Sequence, residues 1–368
     1  MSFMSAFDKI TDPRKDINKK HDLIDILFLT FSAVLSGALG WKDIKEFGDE
    51  KIEWLRQFRE FKNGIPVDDT IARVISCINP QEFNQCFINW VNEIRKENGQ
   101  PQIAIDGKTL RHSFSEKPID ALHSVTAWHA ESGLVVAQMK SSGKKNENAS
   151  VLEMLSALNI KGAHITVDAM NTQKTVANKI IQSGADYTIC VKDNHKTLKE
   201  QIAAYFHKMS RENESLIKTS TQVDCGHGRI ETRKCEQLLA TEWIDGLNEW
   251  PEVRVIIKIT RERQLKNSGK TESETLYYIS SRNVDVEETA KGIRHHWGVE
   301  NNAHWVLDVT FKEDDSRIRR DDGAENVGII RRFCLNLCKL NPRKNSMAGK
   351  IKKCGWSDEY RQEVIFGQ

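Results

Sequence analysis

The sequence predicts an α/β protein: an all-helical beginning, a mixed sheet with helices on its faces, and a small antiparallel β unit set into the sheet-bearing part. Three observations predict it. Apolar residues recur at helical spacing up to about residue 99. From Gln102 the period changes, and short apolar runs alternate with helical stretches, as they do where helices cover a sheet. Between Arg211 and Asp285 the helical spacing fades and strand-like runs flank turn residues.

Composition bounds the function. The 368 residues are 39% hydrophobic and 29% charged, with a net charge of +2, enough for two or three packed units. A net charge this small means that any contact with a polyanion must come from local basic patches. The opening MSFMSAFDKITDPRKD lacks a basic region followed by a long apolar run, so no secretory signal is expected. Leu23–Leu39 is apolar but carries Asp25, Thr30 and Ser32, and reads as a buried helix, not a membrane span. The eight cysteines form no C-x-x-C pair, and read as reduced thiols in a cytoplasmic protein.

Taken in order, Leu23–Leu39 is a helix stopped near Gly37 and Gly40, and Trp41–Phe61 is amphipathic. Asn63-Gly64-Ile65-Pro66 breaks the chain, and Asp68-Asp69-Thr70 caps the helix that follows. Pro80–Ile94 is another helix, ended by a polar linker at 95–99. Beyond it, Gln102–Ile105 is a strand ending on Asp106-Gly107-Lys108, and Leu122–His129 with Leu134–Met139 forms a strand pair. Val151–Leu158 is helical, Ala163–Val167 a strand ending on Asp168, Gln173–Gln182 a helix, Tyr187–Val191 a strand and Lys196–His207 a helix. After the β unit come a helix around Glu300, a basic helix from Ala324 to Lys339, and a polar tail. The expected segments are therefore 1–99 (helical domain), 100–210 with 286–340 (core), 211–285 (β insertion) and 341–368 (tail).

Three acids stand out. Asp106 and Asp168 each end an apolar strand, and strand carboxyl ends are where open α/β sheets keep their sites. Glu300 lies among Trp297, His296, Asn301, His304 and Trp305. At helical spacing His296, Glu300, His304 and Asp308 would share one face. Three carboxylates can hold two magnesium ions, with manganese as a substitute, in the arrangement that clamps an in-line phosphoryl transfer. Bland readings compete: Asp106-Gly107 fits a hairpin turn, and Asp168 fits a helix cap. A zinc site on His296, Glu300 and His304 is a third reading, without cysteine support or H-E-x-x-H spacing.

The chain also resembles, end to end, the H-repeat-associated proteins, bacterial insertion-sequence transposases of the DDE class. The segments that carry the likeness are DPRKDINKKHDLIDILFLTFSAVLSG, GWKDIKEFG, GIPVDDTIARV, IAIDGKTLR, ITVDAMNTQK, HGRIETR and HWGVENNAHWVLDVTFKEDDSRIR. The resemblance implies a ribonuclease-H-like core and Asp106, Asp168 and Glu300 as the metal-binding triad. It also implies strand cleavage at transposon ends, then strand transfer into target DNA. Related transposases carry Tyr, Arg and Lys around the glutamate, where this chain has Ile293, His296 and Leu307. Where close relatives read K-G-N-Q, it has Lys192-Asp193-Asn194-His195.

Double-stranded DNA is the expected partner, bound by a homodimer, with no membrane. Charge selects Lys108, Arg111, Arg229, Arg233, Arg317, Arg319 and Arg320 as DNA contacts, with Arg331 and Arg332 on the last helix. His227, His296, Asn301 and His304 are further candidates. The rival readings are a DNA-binding relic that no longer cuts, and a nuclease without strand transfer.

Overall fold

The computed structural model describes residues 4–7, 9–94, 101–109, 123–141, 147–226, 228–266 and 269–367. In chain order the elements are helices α1 (Leu23–Leu35), α2 (Trp41–Leu55), α3 (Asp68–Cys77) and α4 (Pro80–Ile94), then strands β1 (Gln102–Thr109), β2 (His123–His129) and β3 (Val135–Ser141). Next come α5 (Glu147–Ala157), β4 (His164–Val167), α6 (Lys174–Gln182), β5 (Asp186–Val191) and α7 (Lys196–Glu212). Four strands follow, β6 (Lys218–Gly226), β7 (Arg229–Leu239), β8 (Val255–Leu265) and β9 (Thr271–Ser280). The chain ends with α8 (Val286–His296), a π turn (Glu300–His304), α9 (Trp305–Val309), α10 (Gly323–Leu340), α11 (Met347–Trp356) and α12 (Asp358–Phe366).

The chain folds as two compact units. The first takes its described residues from Met1–Lys96, Gly107–Leu158 and Glu300–Gln368; the second takes them from Glu97–Asp106 and Asn159–Val299. The division falls inside β1, between Asp106 and Gly107.

In the first unit, α10 is buried on nearly every side. Phe333 stacks on Trp90 with ring centroids 4.0 Å apart, and Phe7, Phe31 and Phe87 pack round it. Two asparagines let a helix this buried satisfy polar neighbours. Asn326 Nδ2 donates to the carbonyls of Ile75 (2.8 Å) and Ile78 (2.9 Å) at the C-terminal end of α3. Asn336 accepts from Val135 N and donates to Val135 O, which docks α10 on β3. The segment expected as a tail from 341 is not one in its described residues: it carries α11 and α12, folded onto the helical core. The anchor is Arg361, fully buried, its guanidinium 3.9 Å from the centre of the Trp54 ring. Composition hid these helices because their buried faces are short and include charged side chains.

The second unit is a mixed sheet with strand order β1-β4-β5-β9-β8-β7-β6. β1, β4 and β5 are parallel and their inner residues are continuously buried, as in strands covered on both faces. β9 joins β5 antiparallel, and β8, β7 and β6 continue as an antiparallel meander. Helix α8 lies on this sheet: Ile293 packs with Cys190, Cys235, Ile257 and Tyr278. Gly292 permits the approach, since a Cβ there would stand 3.0 Å from His164 Cε1. Gln102 Nε2 fixes it by donating to the Gly292 carbonyl at 2.7 Å.

Candidate active site

Asp106 and Asp168 hold matching positions on neighbouring strands of the second unit. β1 and β4 pair in parallel as far as Ile105 and Val167, and each aspartate is the next residue. Both are half-buried. β1 continues to Thr109, which removes the hairpin-turn reading of Asp106-Gly107. Asp168 does not cap α6 either; Gln173 precedes that helix. Its Oδ1 accepts instead from Asn171 N at 3.0 Å and Asn171 Nδ2 at 2.8 Å. Thr172 Oγ1 bridges the carbonyls of Asp168 (3.1 Å) and Cys190 (2.7 Å), tying the loop back to β5.

The loop after β5 holds the same turn from the other side. Asn194 Nδ2 donates to Ala169 O at 2.8 Å, and His195 Nε2 bonds Thr172 O at 2.7 Å. Asp193 points to solvent and pairs with Lys199 at 2.8 Å, which lowers its pKa. In sequence this stretch stands out only as a departure from relatives, and Asn171, Thr172, Asn194 and His195 are not among the residues it singles out. The available signal was Asp168-x-x-Asn171, the spacing at which an aspartate accepts bonds from its own turn.

The expected stripe of His296, Glu300, His304 and Asp308 is not one helical face. The helix is interrupted after His296, and Glu300–His304 form a π turn, whose five-residue bonding rotates the side chains that follow. Glu300 and Asn301 are exposed, while His304 is buried. His296 Nδ1 bonds Thr166 Oγ1 at 3.0 Å; burial and the nearby Lys192 charge lower its pKa to about 4. In the first unit, burial and then the charges of Arg332 and Lys108 lower His304 to about 3. Neutral rings of this kind could ligate a metal, but among the described residues no three His, Cys, Asp or Glu side chains gather into a metal-binding group. The donors at Asp106 and Asp168 are carboxylate oxygens, the type a hard divalent cation prefers.

The segment that follows Glu300 carries a buried charge cluster. Glu313 is fully buried and pairs with the equally buried Arg332 at 2.6 Å. Burial works to raise Glu313, but Arg332, Lys108 and Arg331 overcome it and bring its pKa to about 2. The Lys108 ammonium enters the same cluster, bonding Asp308, lying 3.2 Å from Glu313 and 3.9 Å from Asp314. Arg331 and Arg332, expected as basic surface on the last helix, are therefore buried, and Arg331 bonds Ser316 at 3.1 Å. Alternating charge along a helix reads as surface, and only tertiary pairing with Glu313 reverses that here.

Of the other expected basic contacts, Arg317, Arg319 and Arg320 are exposed. Arg229 and Arg233 sit on β7, where Glu231 lies 2.8 Å from Arg233 and 3.8 Å from Arg229. Arg111 and His227 lie outside the described residues. Among the described residues no helix is long and apolar enough to cross a membrane.

Two aspartates at matching ends of parallel strands offer the oxygen donors that metal-assisted phosphoryl-transfer sites use. Comparison with known families shows which family the chain belongs to. Residues 97–337 match the family model described as "Transposase DDE domain", and residues 4–91 match the one described as "DDE_Tnp_1-associated". The chain belongs to the DDE transposase family. It is 40% identical over 372 residues to "Putative transposase YncI" of Escherichia coli O157:H7, covering 99% of this chain and 95% of that one. It is 39% identical over 367 residues to "H repeat-associated putative transposase YhhI" of Escherichia coli K12, covering 97% and 96%. A shorter relative in the same strain, "Inactive transposase YbfQ", is 59% identical over 56 residues, 15% of this chain and 67% of its own.

Proposed function

We propose that the protein is a DNA transposase that cleaves strands at the ends of an insertion sequence and transfers them into target DNA. The observation that carries this is the pairing of Asp106 and Asp168 at matching ends of β1 and β4, in a chain of the DDE transposase family. Glu300 is the third acid of the reading, on its place in HWGVENNAHW, exposed at the first position of a π turn. Asp106, Asp168 and Glu300 would hold two divalent ions, magnesium or manganese, which when bound supply Lewis acidity and a more acidic water.

The remaining work falls to the chain. Asn171 aims one oxygen of Asp168, while Thr172, Asn194 and His195 keep its turn in place. Hydrolysis breaks a P–O3′ bond and leaves a 3′ hydroxyl. That hydroxyl then attacks a target phosphorus, forming a new P–O3′ bond as the target's own 3′ oxygen leaves. Exposed Arg317, Arg319 and Arg320, with Arg229, Arg233 and Asn301, contact phosphates. Arg111 and His227 are further DNA contacts of this reading, while the buried Lys108 and His304 and the half-buried His296 contact none of it. The reading further takes residues 100–210 and 286–340 as a ribonuclease-H-like core, the β6–β9 strands as its insertion, and the N-terminal helices as the reader of element ends. A homodimer on DNA, in the bacterial cytoplasm, brings two ends together.

The test is product analysis with a DNA fragment bearing the element's ends, a target plasmid and magnesium. Joined products support transposition; released ends alone indicate a nuclease, and end binding without cutting indicates a relic.

A further inference from the structure

The ammonium of Lys108 lies two residues past Asp106 on β1, yet it faces the segment that starts at Glu300. It bonds Asp308 of α9 and lies 3.2 Å from Glu313, whose other partner is the fully buried Arg332 of α10. Lys108 itself is 8% exposed, so its charge is committed to these acids. The residues on either side are held as firmly. Gly107 lies against the Glu147 carboxylate, which a Cβ would approach to 2.6 Å. Thr109 Oγ1 bonds His123 Nδ1 at 2.9 Å, and His123 Nε2 bonds Glu147 at 2.7 Å. Gly107, Lys108 and Thr109 thus form a collar on the last turn of strand. From α10, Lys339 Nζ donates to the Asn302 carbonyl at 3.0 Å, inside the π turn.

We propose that Lys108 is a positioning residue: its ion pairs with Asp308 and Glu313 fasten the end of β1 to the segment that begins with Glu300, and so set where the Glu300 carboxylate stands. This rests on reading Glu300 as a metal-binding acid, and it assigns Lys108 no contact with DNA. Losing that ammonium would leave half-buried Asp308 without this cation and Glu313 held by Arg332 in its place, which loosens the link between the two segments. Loosening a supporting contact by a fraction of an ångström is enough to slow a reaction that depends on alignment.

The test compares full-length wild type with Lys108→Met and Lys108→Arg. Amide exchange is followed over residues 300–309, and single-turnover cleavage and affinity are measured on end-bearing DNA with magnesium. Lys108→Met should speed exchange in that segment and slow cleavage at least about tenfold, with affinity and its salt dependence unchanged. Lys108→Arg should restore at least half of the rate. Unchanged exchange overturns the proposal, as does lost affinity with a salt slope smaller by about one phosphate, the signature of a DNA contact. Should Lys108→Met fail to fold, Asp308→Asn, which leaves the Glu313 pair intact, must change exchange and cleavage in the same directions; wild-type behaviour overturns the proposal. If the wild type does not cut at all, the transposase reading fails by itself, and the exchange comparison still decides the tether.

Discussion

Asn171 places two hydrogen bonds on a single oxygen of Asp168, one from its backbone nitrogen at 3.0 Å and one from Nδ2 at 2.8 Å. A carboxylate oxygen held this way has its direction fixed by its own turn, and the side chain that fixes it is fully buried. The site is thereby aimed from within one loop.

Asn171→Ala removes the Nδ2 bond and leaves the backbone bond, so the carboxylate is held less firmly. Cleavage of end-bearing DNA should fall by about 10–100-fold, the usual cost of losing a group that orients a metal-binding side chain. Asp168→Asn should abolish cleavage, and both variants should keep wild-type DNA affinity. Gel-shift and single-turnover measurements on the same preparations check this. Full activity in Asn171→Ala would deny it the aiming role.

Gly292 makes a prediction about stability alone. A Cβ there meets His164 Cε1 at 3.0 Å, and the ring cannot step aside because Nε2 is bonded to Thr188 and Nδ1 to Arg282. Gly292→Ala should cost about 1–3 kcal/mol by overpacking, less the helix propensity that alanine adds. Chemical denaturation measures it, and a variant as stable as wild type would mean that α8 moves away freely.

Two buried histidines, His164 and His304, and the half-buried His296 set the acid limit. His164 is lowered to about 3 by burial, with Arg282 and His296 adding; His296 falls to about 4 and His304 to about 3. Unfolded, each would titrate near 6.5. Between these values the unfolded chain binds protons that the native one refuses, so stability falls as pH drops below about 6.5. The slope is about 1.4 kcal/mol per pH unit for each histidine. Glu313 adds a second loss: its folded pKa of about 2 lies below the unfolded value, so its contribution is present above pH ~4.5 and disappears towards pH 2. Denaturation curves from pH 7.5 to 4 should show the first decline, and His304→Gln should flatten it by one proton. A pH-independent midpoint over that range would contradict these assignments.

Arg319 and Arg320 are exposed on the loop that leads into α10. Changing both to alanine should lower the salt slope of DNA binding by roughly two phosphates and leave thermal stability within about 0.5 kcal/mol. An unchanged slope removes this loop from the interface.

Much of the architecture was legible because its elements follow simple periods. Pro80–Ile94 was read from spacing with its observed limits, and Ala163–Val167 and Tyr187–Val191 lie within one residue of β4 and β5. Sequence spacing failed where tertiary pairing overrides it. Arg331, Arg332 and Arg361 look like surface charge until Glu313, Asp358 and the Trp54 ring are brought to them. The π turn at Glu300 escaped because a four-residue repeat in sequence carries no mark of a five-residue backbone bond. Of the candidate site, Asp106 and Asp168 were visible as acids closing apolar runs, and the signal for Asn171 was its spacing to Asp168, whereas Thr172, Asn194 and His195, which brace the turn, become recognisable only once β5 returns beside β4.

The most direct test of the account is cutting of a DNA fragment bearing the element's own ends, with magnesium, by wild type and by Glu300→Gln. The account predicts end-specific cutting by the wild type, and a variant that folds and binds the ends with unchanged affinity yet does not cut. Equal cutting by the two would show that Glu300 carries no part of the chemistry and would contradict the three-acid site.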